Sequence, residues 1–128
     1  LIGGFLGGFE FLHFPRVRYG RCRQDGFHRF YDTPGSYTII QSNSSIPTTN
    51  TITVNVSGTV DILLEGVNIQ TGGCAFYIQS GTVNLTLSGD NTLVSTENYA
   101  GLQNGTNPLT IDGAGSLYAQ CATTTYGV

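Results

Sequence analysis

The chain has 128 residues, of which 39% are hydrophobic and only 10% charged, and it contains eighteen glycines. This composition favours short strands joined by turns over amphipathic helices, which are rich in Ala, Leu, Glu and Lys. All five basic residues precede position 30, whereas residues 37–128 hold five carboxylates and no Lys, Arg or His. That local net charge of −5 excludes a nucleic-acid surface there, because phosphates would find no basic partner.

Residues 1–36 differ from everything after them. The first nine are apolar but interrupted by glycine pairs, far short of the roughly 20 apolar residues of a transmembrane helix. An arginine-rich stretch follows at 16–29. We interpret 1–36 as an irregular flank or linker without an assigned role, and we predict no membrane insertion. Because the sequence begins with Leu1, we expect it to belong to a longer chain.

From residue 37 onwards a ten-residue motif recurs. It reads SGTVDILLEG at 57–66, SGTVNLTLSG at 80–89 and NGTNPLTIDG at 104–113, so the steps are 23 and then 24 residues. Each unit continues past its second glycine into another short apolar stretch. A fixed period of this length is typical of solenoids, in which every repeat is one supersecondary unit that stacks on the next.

Apolar and polar residues alternate within these units. Val60, Ile62 and Leu64 occupy every second position, and the same alternation recurs at 83–88 and at 52–57. A period of two predicts strands with one buried and one solvated face. We therefore predict strands at 52–56, 60–64, 83–87 and 109–111.

Strands that recur every 23–25 residues predict an all-β fold, a parallel β-helix of about four coils over residues 37–128, with coils about 4.8 Å apart. The glycine alignment sets the register between coils. It places Val60 beside Val83 and Leu64 beside Leu87, and it stacks Ile62, Leu85 and Leu109 in one buried column. It also predicts that Asn68 and Asn91 begin an internal asparagine ladder. A β-sandwich would not need the fixed step, and a leucine-rich repeat would need an LxxLxL pattern that is missing.

The cysteines form neither a metal motif nor a disulfide framework. Cys74 follows Gly66 by eight residues and Cys121 follows Gly113 by eight, so the alignment places both in one column, two coils apart. Their predicted separation of about 10 Å exceeds the roughly 4.4–6.8 Å between Cα atoms that a disulfide tolerates. We predict free thiols at Cys74 and Cys121.

Four segments resemble the bacterial β-helical carbohydrate-binding domain family. They read VDILLEGVNI at 60–69, LTLSGDNTL at 85–93, AGL at 100–102 and LTIDGAGSL at 109–117, in the order and spacing of the family's motifs. The resemblance covers about 37–128, as a partial domain. It implies a right-handed parallel β-helix, secreted or at the cell surface, that binds plant-wall polysaccharides such as cellulose and polygalacturonate, with calcium as its ion. We expect a monomeric module within the longer chain.

Tyrosines are the candidate ligand-binding residues, because a phenol ring offers an apolar face for a sugar and a polar tip for its hydroxyls. The candidates are Tyr77, Tyr99 and Tyr118.

Carboxylates beside the glycine corners are the candidate calcium ligands, namely Glu65, Asp90 and Asp112. The alignment places Glu65 and Asp112 in one column two coils apart, about 10 Å, which is too far for one ion. Asp90 with either of the others is therefore the predicted pair. Because 37–128 has no positive charge, a polyuronate could be attracted only through a divalent cation.

Catalysis is the main rival to binding, since β-helices also form pectin-degrading enzymes. A lyase needs a strong base, usually Arg or Lys, and a glycoside hydrolase needs paired carboxylates. Residues 37–128 contain neither a basic residue nor an Asp-Asp pair. We therefore interpret the chain as a non-catalytic carbohydrate-binding module. A structural stalk or adhesin repeat remains the alternative, followed by a fragment of a β-helix lyase or hydrolase.

Overall fold

The structure, a computed structural model, describes residues 9–12, 22–25 and 28–121, which form strands, turns and bends but no helix. This part of the chain therefore contains no helix that is long and apolar enough to cross a membrane. In chain order the strands are β1 (Phe9–Leu12), β2 (Cys22–Asp25), β3 (His28–Tyr31), β4 (Gly35–Gln41), β5 (Thr51–Glu65), β6 (Asn68–Thr71), β7 (Phe76–Ser88), β8 (Asp90–Ser95), β9 (Leu102–Gln103), β10 (Leu109–Gly113) and β11 (Ser116–Cys121).

The strands stack in parallel as three faces of a solenoid. The first face consists of β3, the start of β5, the start of β7, and β9. The second face consists of β4, the end of β5, the end of β7, and β10. The third face consists of β6, β8 and β11. The chain is therefore a parallel β-helix of about four coils, at 28–48, 51–71, 76–95 and 102–121, which confirms the predicted fold class.

Two long strands each supply two faces. The pairing of β5 with β7 shifts register between Val54 and Thr59, where both strands pass from the first face to the second. The corner between the second and third faces contains Gly66 and Gly89. Their φ angles are 66° and 71°, in the left-handed region that favours glycine. Two of the three aligned glycines thus lie at this corner, whereas the third, Gly113, is the last residue of β10.

The predicted strands and the register of the second and third coils are confirmed. Val60 lies beside Val83, and Leu64 beside Leu87. The predicted position of Leu109 is wrong, because it pairs with Val83, while Ile111 pairs with Leu85. The step into the last coil is 26 residues, from Val83 to Leu109, and not 24. A shift of two residues keeps every side chain on its own side of the sheet, so the alternation pattern could not reveal the error.

The core is built from inward side chains stacked across coils. Ile52, Phe76 and Leu102 form one such column, and all three are fully buried. Ile62 and Leu85 form another, each 1% exposed. No single coil encloses these side chains, so burial depends on the neighbouring coil, as expected for a repeat fold.

Asn91 is buried inside the corner, but no asparagine ladder forms. Its Oδ1 accepts a hydrogen bond from the Val67 backbone N–H at 2.9 Å. Asn68 instead pairs with Thr92 on the outer side of the third face, where its Nδ2 donates to the Ser44 carbonyl at 2.8 Å. Between its second and third faces, the third coil has one more residue than the second coil has. A one-residue offset reverses which side chains point inward, so the predicted ladder is wrong.

The parallel stack begins before residue 37. His28 to Tyr31 pair in parallel with β5, and Arg29, opposite Ile52, is only 9% exposed. Beyond this coil, β1 pairs antiparallel with β4, and β2 antiparallel with β3. Antiparallel strands thus border the first coil, a feature for which residues 1–36 gave no sequence signal.

Neither Cys74 nor Cys121 forms a disulfide, as predicted. The predicted column shared by Cys74 and Cys121 is wrong, however. Cys121 is in the column of Ser95 and Thr71, and Thr71 lies three residues before Cys74. Burial raises the pKa of Cys74 to about 11, although hydrogen bonds with the backbone of Phe76 and Gln103 oppose that rise.

Candidate functional site

The outer side of the third face carries two straight columns of side chains. Strand alternation sends Ile69 and Leu93 into the core, where both are fully buried, and sends their neighbours outward. The register of β6, β8 and β11 aligns those neighbours across three coils. We call the six residues the third outer face: Asn68, Thr92 and Tyr118 in one column, and Gln70, Val94 and Gln120 in the other.

None of these six side chains carries a charge at neutral pH. Tyr118 is 56% exposed, and Gln70 and Gln120 are exposed beside it. The Tyr118 hydroxyl donates to Oε1 of Gln120, which links the two columns. Amide groups both donate and accept hydrogen bonds, as sugar hydroxyls do, and an exposed phenol ring offers an apolar stacking surface. The surface therefore matches the chemistry of a sugar chain.

Two other predicted residues border this face. Asp90 opens β8, and its Oδ1 accepts a hydrogen bond from the Ser116 hydroxyl at 2.8 Å. Tyr99, 51% exposed, lies in the loop that follows β8. Asp90 thus lies at the start of β8, and Tyr99 lies beyond its end.

The third predicted tyrosine lies elsewhere. Tyr77 belongs to the first face, where it pairs with Thr53 and Gln103, and it is half-buried. The structure therefore does not bring Tyr77 together with Tyr118 on one face.

The three predicted carboxylates border the corner between the second and third faces. Glu65 precedes the corner glycine Gly66 and Asp90 follows the corner glycine Gly89, while Asp112 precedes Gly113, the last residue of β10. The predicted shared column is wrong, because Glu65 pairs with Ser88 and Asp112 with Thr86. The 26-residue step of the last coil accounts for this difference as well.

Among the residues that the structure describes, no group of three or more His, Cys, Asp or Glu side chains is arranged to hold a metal ion. Asp112 uses its Oδ1 to accept a hydrogen bond from the Gly113 N–H at 2.7 Å. Calcium takes six to eight oxygen ligands. An ion at this corner would therefore need further oxygen ligands, from backbone carbonyls, water or a bound polysaccharide.

Sequence reasoning included Tyr118 among three candidate tyrosines but missed the amides that accompany it. The signal was present, since Asn68 and Gln70 alternate with Ile69, as Tyr118 and Gln120 do with Ala119. These stretches are only four and six residues long, so their alternation is weaker than that of β5 and β7.

Comparison with known proteins gives no further guide: no family model matches the chain, and no similar protein was found among curated proteins or solved structures. The resemblance to a carbohydrate-binding family therefore stays a prediction.

Proposed function

We propose that this chain is a non-catalytic polysaccharide-binding module, active outside the cell or at its surface, with its ligand on the third outer face. The observation that carries the proposal is Tyr118, 56% exposed and in register with Thr92, with the uncharged Gln120 beside it. The ring of Tyr118 contributes little to the core and is accessible, so it can stack on the face of a sugar.

A polymer fits this surface better than a compact ligand. The columns are open, and neighbouring strands are about 4.8 Å apart, so the three coils span about 10 Å across the strands. A flat surface of this kind encloses little of a small molecule, whereas known small-molecule sites are concave and bury most of their ligand. An extended sugar chain can contact all three coils at once.

The second face has a different character. Its outer side carries Asp61, Glu65 and Asp112, and Asp61 accepts a hydrogen bond from Asn84 at 2.8 Å. These carboxylates would repel an acidic sugar chain, and a neutral chain would have to offset their desolvation with hydrogen bonds from its hydroxyls. The third outer face is therefore the preferred binding surface.

Replacing Tyr118 with alanine is expected to weaken retention on washed insoluble polysaccharide by at least about tenfold, which corresponds to about 1.4 kcal/mol. The substitution removes the aromatic platform while leaving the core intact. The measurement is a depletion isotherm on cellulose and on cross-linked polygalacturonate.

Tyr77→Ala is the matched control, because Tyr77 is also an outward tyrosine but lies on the first face. Its retention should stay close to wild type. Equal losses in the two variants would contradict binding on the third outer face. Wild-type protein that no polysaccharide retains would favour the stalk or adhesin interpretation.

Calcium assistance is a separate part of the proposal, supported by the exposed Asp90 at the border of this face and by the lack of basic residues after position 37. We expect a chelator to reduce retention on polygalacturonate, and Asp90→Ala in calcium to reduce it to the same level. Asp61→Ala, an exposed acid on the second face, should behave as wild type. Retention that neither chelator nor Asp90→Ala changes would rule out a calcium bridge.

A further inference from the structure

The two columns of the third outer face continue onto the first coil. Thr48 forms a parallel bridge with Ile69, and its N–H donates to the Asn68 carbonyl at 3.0 Å. Thr48 is only 2% exposed, so its side chain points inward. Strand alternation then sends Pro47 and Thr49 outward, and both are exposed.

The register of this bridge assigns each new residue to a column. Pro47 lies beside Asn68, at the end of the column that contains Tyr118. Thr49 lies beside Gln70, whose N–H donates to the carbonyl of the bridging threonine at 2.9 Å. The columns therefore cross four coils, and at about 4.8 Å per coil they extend about 14 Å along the solenoid axis.

The loop that leads from β4 to Pro47 is fixed by a side chain that takes the place of a strand. Gln41 is 6% exposed, and its Oε1 accepts a hydrogen bond from the Asn68 N–H at 2.6 Å. Its Nε2 donates to the Ile46 carbonyl at 2.7 Å. These bonds hold Pro47 in position before a ligand arrives, so binding there loses little conformational entropy.

The added residues keep the surface uncharged. Residues 42–50 contain no Asp, Glu, Lys, Arg or His, and they offer a sugar the apolar ring of Pro47 and the hydroxyl of Thr49. A sugar chain laid along β8 would instead meet two exposed carboxylates, Asp90 at the start of the strand and Glu97 beyond its end. A path along the solenoid axis meets only uncharged side chains.

We propose that Pro47 and Thr49 form a further sugar-binding subsite on the first coil, and that an unbranched, extended chain of pyranose sugars runs along the solenoid axis with one sugar on each coil. This subsite rests on the polysaccharide binding proposed above, to which it adds the direction and the length of the bound segment. An extended pyranose unit is about as long as the coil spacing of about 4.8 Å, so successive sugars face successive coils. Tyr118 and Pro47 then face the two end sugars of a four-sugar segment.

The test is the affinity of the 1–128 chain for soluble oligosaccharides of increasing length, measured by isothermal titration calorimetry. One series is β-1,4-linked glucose, and the other is oligogalacturonide with calcium, so that neutral and acidic chains are distinguished. For at least one series, wild-type affinity should rise about threefold or more from three sugars to four, because the fourth sugar gains the contacts of the first coil, and should then level off.

Pro47→Ala combined with Thr49→Ala should abolish this step while leaving the affinity for three sugars unchanged. Pro108→Ala combined with Thr110→Ala is the matched control, because these two residues are also exposed and have the same spacing, but Thr110 lies on the second face. The control should keep the wild-type step. Tyr118→Ala, in contrast, should weaken the binding of every length.

Circular dichroism shows whether the variants keep their strands. If the double variant at 47 and 49 were to lose them, Thr49→Ala alone is the second variant, and it should reduce the step from three sugars to four. A wild-type chain that no polysaccharide or oligosaccharide binds would contradict the proposed function itself. A wild-type chain that polysaccharide retains, but whose affinity does not rise with a fourth sugar, would overturn only the further subsite. A step that persists in the folded variants would overturn it as well.

Discussion

Replacing Leu85 with alanine is expected to lower the free energy of unfolding by about 2–5 kcal/mol. Leu85 is 1% exposed and lies between Ile62 of the second coil and Ile111 of the fourth. The substitution opens a cavity in the middle of a column, where neither neighbouring coil can move without breaking its own ladder of backbone hydrogen bonds. Urea denaturation followed by circular dichroism measures the effect.

Leu63→Ala is the matched control, since it removes the same atoms from the outer side of the second face, where Leu63 pairs with Thr86 and is half-buried. Its cost should be about 1 kcal/mol or less. Similar losses for Leu63 and Leu85 would mean that the core is not organised as stacked columns.

The second large effect is expected at Asn91, which is 1% exposed. Its side chain connects three coils: it accepts from Val67 N–H at 2.9 Å and donates to the carbonyls of Ser88 at 3.2 Å and Ser116 at 3.3 Å. Asn91→Leu keeps the volume but leaves the buried Val67 N–H without this acceptor. We expect a loss of about 2–4 kcal/mol in the free energy of unfolding, because a buried polar group without a partner loses its full solvation.

Asn84→Leu provides the comparison, because Asn84 is an asparagine on the outer side, bonded to Asp61 at an exposed site. Water can replace that bond, so the cost should stay within about 0.5 kcal/mol. An Asn91→Leu protein as stable as Asn84→Leu in the same urea titration would show that the corner does not depend on this amide.

The long strands could be predicted because two sequence features agree in them: the alternation of apolar and polar residues, and the spacing of the glycines. Val60 to Leu64 repeat the pattern of Val83 to Leu87 without an insertion, so one alignment gives both the faces and the register. The last coil could not be predicted in the same way. It contains Gly113 and Gly115, and sequence similarity favoured Gly113 as the corner residue, whereas Gly115 is the one beside Gly89.

The candidate site was predictable in its aromatic residue only. Tyr118 was one of three candidate tyrosines, because a phenol ring offers a stacking face for a sugar, whereas Gln70 and Gln120 look like ordinary solvated polar residues until the register aligns them. The carboxylates were misplaced for the same reason as Leu109, since their columns depend on how many residues each corner contains. That number is set by the local turn and not by the repeat.

The corners differ in their number of residues, and this difference also bears on how such a chain can evolve. The paired strands of the second face are 25, 23 and 26 residues apart from coil to coil, yet their ladders remain in contact. Insertions and deletions are therefore absorbed where the chain turns, at little energetic cost, and the stacked interior is left alone. A lineage could lengthen the loop between β8 and β9, next to the third outer face, and so acquire a new ligand preference while inheriting the same core.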